Sequence, residues 1–299
     1  MQVLIAGGTG FVGRHLCAEL LERGVDVVAM SRDPDPADVP EGVTLREGDI
    51  TEYAGLEDAI HGMDAVVHLV ALSALYRPRG GQSMHERVHV QGTRNLVRAM
   101  ESVGIDRLIH ISGIGADPDG QTAYLRAKGR AEGIVRSADL AATIFRPAVI
   151  FGEGDEFVSF IKKVTTPYIT ALPGGGQTPF QPIWVREIVS MLADAIEDDR
   201  HSGASYDIGG PHVLTLADIT RAIYRAEDRS VRIIPVPFAV SGIGLTLASP
   251  LPLLPFGRDQ YRALRMDHTV ASNDISAFDL ASDDLREFDA YLRDRAPEH

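Results

Sequence analysis

From Met1 to about Phe151, short runs of β-branched and aliphatic residues alternate with longer amphipathic stretches. The runs are "QVLIA", "DVVAMS", "VTLREG", "DAVVHLV", "DRLIHIS" and "AATIFRP", and the stretches between most of them repeat apolar positions at helical spacing. Such alternation predicts an α/β fold, a Rossmann-type doubly wound parallel sheet with helices on both faces. Beyond Gly152 the regularity fades. A glycine loop "LPGGGQ", a helix around 185–198, a strand-like "ASYDIGG" and a helix after Thr215 predict a smaller, less regular region. The expected division is therefore a regular α/β domain over 1–151 and a smaller substrate or lid region over 152–299, some of whose elements can return to the first.

One segment breaks the pattern. Residues 233–257 carry no charge, yet five prolines interrupt them, which argues against a spanning helix. The stretch reads either as apolar structure buried on the substrate region or as a lid or docking surface, centred on residues 238–256, for a lipophilic ligand, a membrane or a partner.

The first strand and first helix enclose "GGTGFVG", with Gly7, Gly10 and Gly13 in a GxxGxxG pattern. Between a strand and a helix, such glycines permit a tight turn, close approach of backbone to a diphosphate, and close packing of helix on strand. The free N–H groups of the helix start then face the phosphates. Expected cofactor contacts are Gly7, Thr9, Gly10, Phe11, Val12, Gly13 and Arg14. The second strand ends in Ser31 and Arg32 where an NAD site places a carboxylate. A hydroxyl and a guanidinium suit a 2′-phosphate, so NADP(H) is favoured over NAD(H), while Asp33 keeps NAD open.

In "AYLRAKGRAE", Tyr124 and Lys128 stand four residues apart, one above the other on a helix face. A phenol titrates near ~10, so proton exchange near neutrality needs a shift of about three units, roughly 4 kcal/mol. A neighbouring ammonium, together with the positive charge of an oxidised nicotinamide, can supply part of that by proximity.

Together these motifs resemble the extended or atypical short-chain dehydrogenases/reductases. The glycine turn, "EGDI" with Asp49 and Ile50, "VVHLVA" with Leu69, Val70 and Ala71, YxxxK at Tyr124 and Lys128, and "RPAVIFG" with Pro147 occur in the order of that superfamily. The resemblance implies Tyr124 as acid/base, Lys128 as its partner and as a holder of the nicotinamide ribose, and Asp49, Ile50, 69–71 and Pro147 as further cofactor contacts. "VHVQGT", "HISGIGAD" and "GRDQYRALRMD" are most similar to the group that includes the nucleotide-binding accessory subunit of respiratory complex I. Two positions depart from the superfamily pattern. Ser112 is followed by Gly113 where a second hydroxyl is common, and His89 stands where an asparagine is frequent. Ser112 either moves into the catalytic role or serves a backbone group.

Charge and composition narrow the classes. The net charge of −13 argues against a nucleic-acid partner. Acidic residues abound while lysine occurs three times, at 128, 162 and 163. This resembles proteins of salt-loving archaea, although an Arg-rich codon bias would also produce it. The single Cys17 lies in a helical stretch and is expected as a buried hydrophobe. No metal-ligand spacing is present; Asp155 and Glu156 read as a helix start, and Trp184 as core or pocket wall. No export signal precedes the first strand, so the expected location is cytoplasmic, with membrane association through 238–256 left open. Three functions follow: an NADP(H)-dependent oxidoreductase on a small or lipophilic carbonyl or alcohol, a non-catalytic NADPH-binding accessory protein or sensor, and a nucleotide-sugar epimerase or dehydratase.

Overall fold

A computed structural model of the chain describes residues 1–238 and 258–295. The apolar stretch over 239–257 thus lies outside the described residues, and with it nearly all of the expected docking surface.

Two compact units emerge. The first comprises Met1–Leu72, Pro78–Pro147 and Val185–Tyr206; the second comprises Ser73–Arg77, Ala148–Trp184 and Asp207–His299. The chain returns to the first unit at Val185, beyond the point where its alternating pattern fades.

The first unit is built on a seven-stranded sheet. Its strands are β1 (Gln2–Ala6), β2 (Asp26–Ser31), β3 (Thr44–Glu47), β4 (Ala65–His68), β5 (Arg107–Ile111), β6 (Ala141–Pro147) and β7 (Ser205–Ile208). Their spatial order is β7-β6-β5-β4-β1-β2-β3, and β1 lies parallel to both β2 and β4. The strand order, not the strand direction, reverses between β1 and β4, which opens a crevice at the strands' C-terminal ends, where doubly wound sheets bind their ligands. The principal helices are α1 (Phe11–Glu22), α2 (Leu56–Ile60), α3 (Gly92–Val103), α4 (Ala123–Ser137) and α5 (Val185–Glu197). Prolines at 34, 36 and 40 leave only a 3₁₀ turn, Pro36–Asp38, in the β2–β3 connection.

The strands bury fully apolar runs. Val3, Leu4, Ile5 and Ala6 are wholly enclosed, as are Val66 and Val67. One face of the sheet packs Leu4, Val28 and Val66 against Leu96 and Met100 of α3 and Ile60 of α2. Helix α5 joins the same unit through Arg23, which reaches Asp194 at 2.7 Å and Glu197 at 2.8 Å. Cys17 is fully buried, and burial pushes its thiol up to about 12, so it is an inert core residue.

The second unit has its own core, in which Phe151, Phe157, Phe180, Leu216, Ile219 and Phe288 pack together. Asp155 caps the helix Glu156–Val164 by accepting from Val158 N at 2.7 Å, as its place in the sequence suggested. Trp184 packs on this core with Arg286 over its ring. Tyr168–Pro173 pairs in parallel with Val231–Val236, so the first residues of the uncharged segment form a strand. Among the described residues, no helix is long and apolar enough to cross a membrane.

Candidate functional site

The turn from β1 to α1 is shaped for a ligand that needs backbone rather than side chains. Gly7 takes φ +89°, a conformation that favours glycine. A Cβ at Gly13 would stand 2.3 Å from Gly7 O, so that glycine lets α1 pack on the turn. Gly10 is different. A Cβ there would meet only Gly7 O, at 3.2 Å, which leaves the outer side of the turn open. No side chain caps α1, and its first N–H groups face the turn unclaimed by a capping residue. Thr9, Phe11, Val12 and Arg14 surround this start, and Arg14 N closes the first helical bond to Gly10 O at 3.0 Å.

The neighbouring strand ends complete the cradle. A Cβ on Gly7 would lie 3.2 Å from Val70 N, so the residues leaving β4 (Leu69, Val70 and Ala71) run beside the glycine turn. At the tip of β2, Ser31 Oγ is buried with no hydrogen-bond partner, and Arg32 is exposed beside it. A buried hydroxyl without a partner is costly unless a ligand takes it up. The glycine cradle and this hydroxyl fit a dinucleotide. Asp49 uses its carboxylate to accept from Thr51 N at 2.8 Å, and Ile50 is buried against Gly92. Pro147 ends β6, with its carbonyl accepting from Ile114 N at 3.1 Å.

Helix α4 brings Tyr124 and Lys128 to this end of the sheet. Thr122 caps it by accepting from Leu125 N at 3.2 Å, and a Cβ on Gly129 would lie 2.3 Å from the Asp117 carbonyl carbon. The helix is therefore pressed onto the 117–118 loop. Tyr124 keeps partial exposure, and its hydroxyl lies over Gly113, where a Cβ would be 3.2 Å away. Lys128 is 2 % exposed and donates to Ile111 O at 2.8 Å.

The electrostatics correct one expectation. Burial pushes Tyr124 up to about 12, and the Lys128 ammonium does not offset it. Burial also pulls Lys128 down to about 8, against the opposing charge of Glu132. Ser112 is buried, and its backbone N–H donates to Phe145 O at 2.7 Å. Its Oγ meets no partner at full hydrogen-bond geometry, yet it helps Arg146 and Arg136 hold the Glu132 carboxyl below its ordinary value against burial. Among the described residues, no hydrogen bond joins Tyr124 to Ser112 or Lys128.

Two features of this site escape a reading by motif. His68, His85, His89 and His110, none more than 2 % exposed, converge around Tyr124 and Lys128. The His85 and His89 rings stack with centroids 5.5 Å apart, and each meets the Tyr124 ring edge-on, at 5.8 and 5.5 Å. His89 lies in a π-helical turn, Glu86–Gln91, a feature frequent at functional sites. His68 and His110 are register partners on β4 and β5, their rings 5.0 Å apart. Burial, reinforced by Lys128, lowers His68 to about 3 and moves His89 strongly the same way. Burial followed by His68 and Lys128 does so for His110. Among the described residues, no cluster of His, Cys, Asp and Glu could hold a metal. The second missed feature is Glu132, one helical turn beyond Lys128 and 1 % exposed.

A family model described as NAD(P)H-binding matches residues 7–166. The chain is 32 % identical over 301 residues to the mitochondrial NADH dehydrogenase [ubiquinone] 1 alpha subcomplex subunit 9 of Arabidopsis thaliana, covering 92 % of this chain and 72 % of that protein. It is 33 % identical over 177 residues to a 2-alkyl-3-oxoalkanoate reductase of Stenotrophomonas maltophilia, covering 52 % of this chain and 53 % of that enzyme. A crystal structure of a short-chain dehydrogenase/reductase superfamily protein from Agrobacterium tumefaciens with bound NAD shares the fold. It has a TM-score of 0.73 at 17 % identity, over 99 % of this chain and 96 % of that one.

Proposed function

We propose, for a chain that belongs to the NAD(P)H-binding family and shares the fold of a short-chain dehydrogenase/reductase superfamily protein, an NADPH-dependent reductase of lipophilic carbonyl compounds. The observation that carries this reading is the placement of Tyr124: partly exposed, with its hydroxyl over a residue that has no side chain, and one helical turn from Lys128. Its phenol, raised to about 12, keeps its proton throughout the physiological range. Raised in this way it is a weak acid, so giving its proton to a carbonyl oxygen calls for a neighbouring positive charge, such as the Lys128 ammonium, to stabilise the phenolate.

Bound NADPH supplies the hydride. Tyr124 Oη holds the proton that the carbonyl oxygen acquires as C=O becomes CH–OH, and the phenolate left behind takes a proton from water. Lys128 donates toward the nucleotide as an ammonium. The open side of the turn at Gly10 and the free start of α1 support diphosphate binding. Ser31 and Arg32 support a 2′-phosphate, since a guanidinium pairs with phosphate through two parallel bonds. The carbonyl class draws support from the Stenotrophomonas reductase, whose named substrate is an alkyl-branched oxoalkanoate. Sugar-nucleotide epimerisation has less support, because Gly113 removes a hydroxyl beside the tyrosine.

A second reading rests on Ser112, which no hydrogen bond joins to Tyr124 among the described residues. In this reading the chain is an NADPH-binding accessory protein of a respiratory complex, as the name of the Arabidopsis relative suggests. Bound nucleotide then stabilises the fold by mass action without turnover. Contact with a complex or membrane surface would involve residues 238–256.

The test is to load the protein with stoichiometric NADPH and challenge it with quinones, enones, aldehydes, 3-oxo esters and sugar nucleotides. Oxidation by a carbonyl class that Tyr124→Phe abolishes, with nucleotide still bound, is the expected result. Tight NADPH binding with no oxidation by any acceptor would overturn the reductase reading in favour of the accessory one.

A further inference from the structure

Tyr124, Lys128 and Glu132 follow one another at four-residue spacing and so leave α4 along one face. Glu132 is among the most deeply buried charged groups of the unit and is firmly held. Arg146 Nε donates to its Oε1 at 2.8 Å and Arg146 Nη2 to its Oε2 at 2.7 Å. Arg136 Nη2 donates to Oε2 at 2.7 Å. Stability alone gives little reason for this arrangement, since replacing a buried ion pair by apolar residues of similar volume is often neutral or favourable.

The surroundings of Lys128 supply another reason. It is faced by His68 from β4, His110 from β5 and His89 from the π-helical turn, all held neutral by burial. From its own helix it is faced by the protonated Tyr124 and by Glu132, behind which stand Arg146 of β6 and Arg136. Glu132 is the charge in this ring that favours an ammonium.

We propose that Glu132 is a positioning residue: clamped by Arg146 and Arg136, it keeps Lys128 charged and so able to attract a bound nucleotide as an ammonium. The last clause rests on the proposed role of Lys128, whereas the charge itself can be read with no nucleotide present. One helical turn separates the two groups, so removing the carboxylate should lower the Lys128 midpoint by about one to two units. The two guanidiniums it leaves uncompensated act in the same direction. Removing Arg136, which is partly exposed and neutralises Glu132, should raise the midpoint instead.

The chain's three lysines make the measurement direct, because selective lysine labelling leaves three side-chain NMR signals to assign to Lys128, Lys162 and Lys163. The full-length protein, wild type and variants, is titrated without nucleotide. Glu132→Gln is expected to move the Lys128 midpoint down by at least one unit, Arg136→Met to move it up, and Glu132→Asp to leave it within a few tenths of wild type. Lys162 and Lys163 should stay fixed. Midpoints unchanged in both charge-altering variants would overturn the proposal. Should Glu132→Gln not fold, a failure of Arg136→Met to raise the midpoint overturns it equally. The pH dependence of NADPH affinity separates the two layers. An alkaline limb that moves with Lys128 supports both, while a moved midpoint with an unchanged affinity profile keeps Glu132's role and overturns the nucleotide role of Lys128.

Discussion

Replacing Lys128 with methionine should stabilise the protein at neutral pH while damaging its site. Lys128 titrates at about 8 in the fold against 10.5 for an ordinary lysine. A depression of that size corresponds to roughly 3 kcal/mol of destabilisation whenever the side chain is charged. Between those two values the unfolded chain binds more protons than the folded one, so stability rises with pH across this window and the penalty is in full force below it. Methionine matches the stem in length, carries no charge, and forfeits the bond to Ile111 O, a loss of about 1–2 kcal/mol. The net expectation at pH 7 is a gain of about 1–2 kcal/mol for Lys128→Met. The sign should reverse above pH ~10, where the neutral lysine keeps its hydrogen bond and the methionine has none. Urea unfolding of both proteins at intervals from pH 7 to 10.5 reads this directly, and subtracting the two curves cancels the other titrating groups. A variant less stable than wild type at pH 7, with a difference that does not change with pH, would refute the reasoning.

Other perturbations probe the rest of the site. Arg32→Asp should weaken NADPH binding at least ~10-fold and shift preference toward NADH, by exchanging a phosphate-pairing guanidinium for a repelling carboxylate; titration with both nucleotides decides, and an unchanged ratio rejects the 2′-phosphate assignment. His110 has both ring nitrogens buried without a partner. His110→Phe should therefore stabilise the fold by about 1–2 kcal/mol at pH 7. Because the folded midpoints of His68, His89 and His110 all lie below the usual 6.5, unfolded imidazoles protonate first and stability falls as pH drops below that value. His110→Phe should flatten that decline, which unfolding at pH 5 and 7 will show; a variant weakened at both would mean the ring is bonded. Gly13→Ala places a methyl 2.3 Å from Gly7 O and should cost about 1–3 kcal/mol along with nucleotide affinity. Gly133→Ala on exposed helix, with nothing within 4 Å, should gain up to about 1 kcal/mol, so equal effects from the two would reject the packing argument.

The fold was largely legible because its signals are local. "QVLIA" and "DVVAMS" became β1 and β2 residue for residue, since fully buried parallel strands announce themselves as unbroken apolar runs. The glycine turn was equally plain, each glycine answering to a close contact or an open face. The chemistry around Tyr124 was less so. His68 and His110 are 42 positions apart and meet only through the register of β4 on β5. Nothing in "VVHLV" or "LIHIS" states that register, although a histidine at or next to the end of each of two apolar strands was a signal. Glu132 stood in plain view at the end of "AYLRAKGRAE", four residues beyond Lys128, but its burial depends on Arg146 arriving from a different strand. The direction of the Tyr124 shift was missed for a related reason: proximity along a helix suggested that the ammonium would dominate, and burial outweighs it.

The central claim is that Tyr124 passes a proton to a carbonyl while bound NADPH gives up its hydride. Its most direct test is a single turnover with NADPH deuterated at the transferring position of C4, followed by mass analysis of the product. One deuterium on the carbinol carbon in the wild type, with no product from a Tyr124→Phe variant that still binds NADPH, is the predicted result. Product without label, or labelled product formed equally well by Tyr124→Phe, would contradict the account.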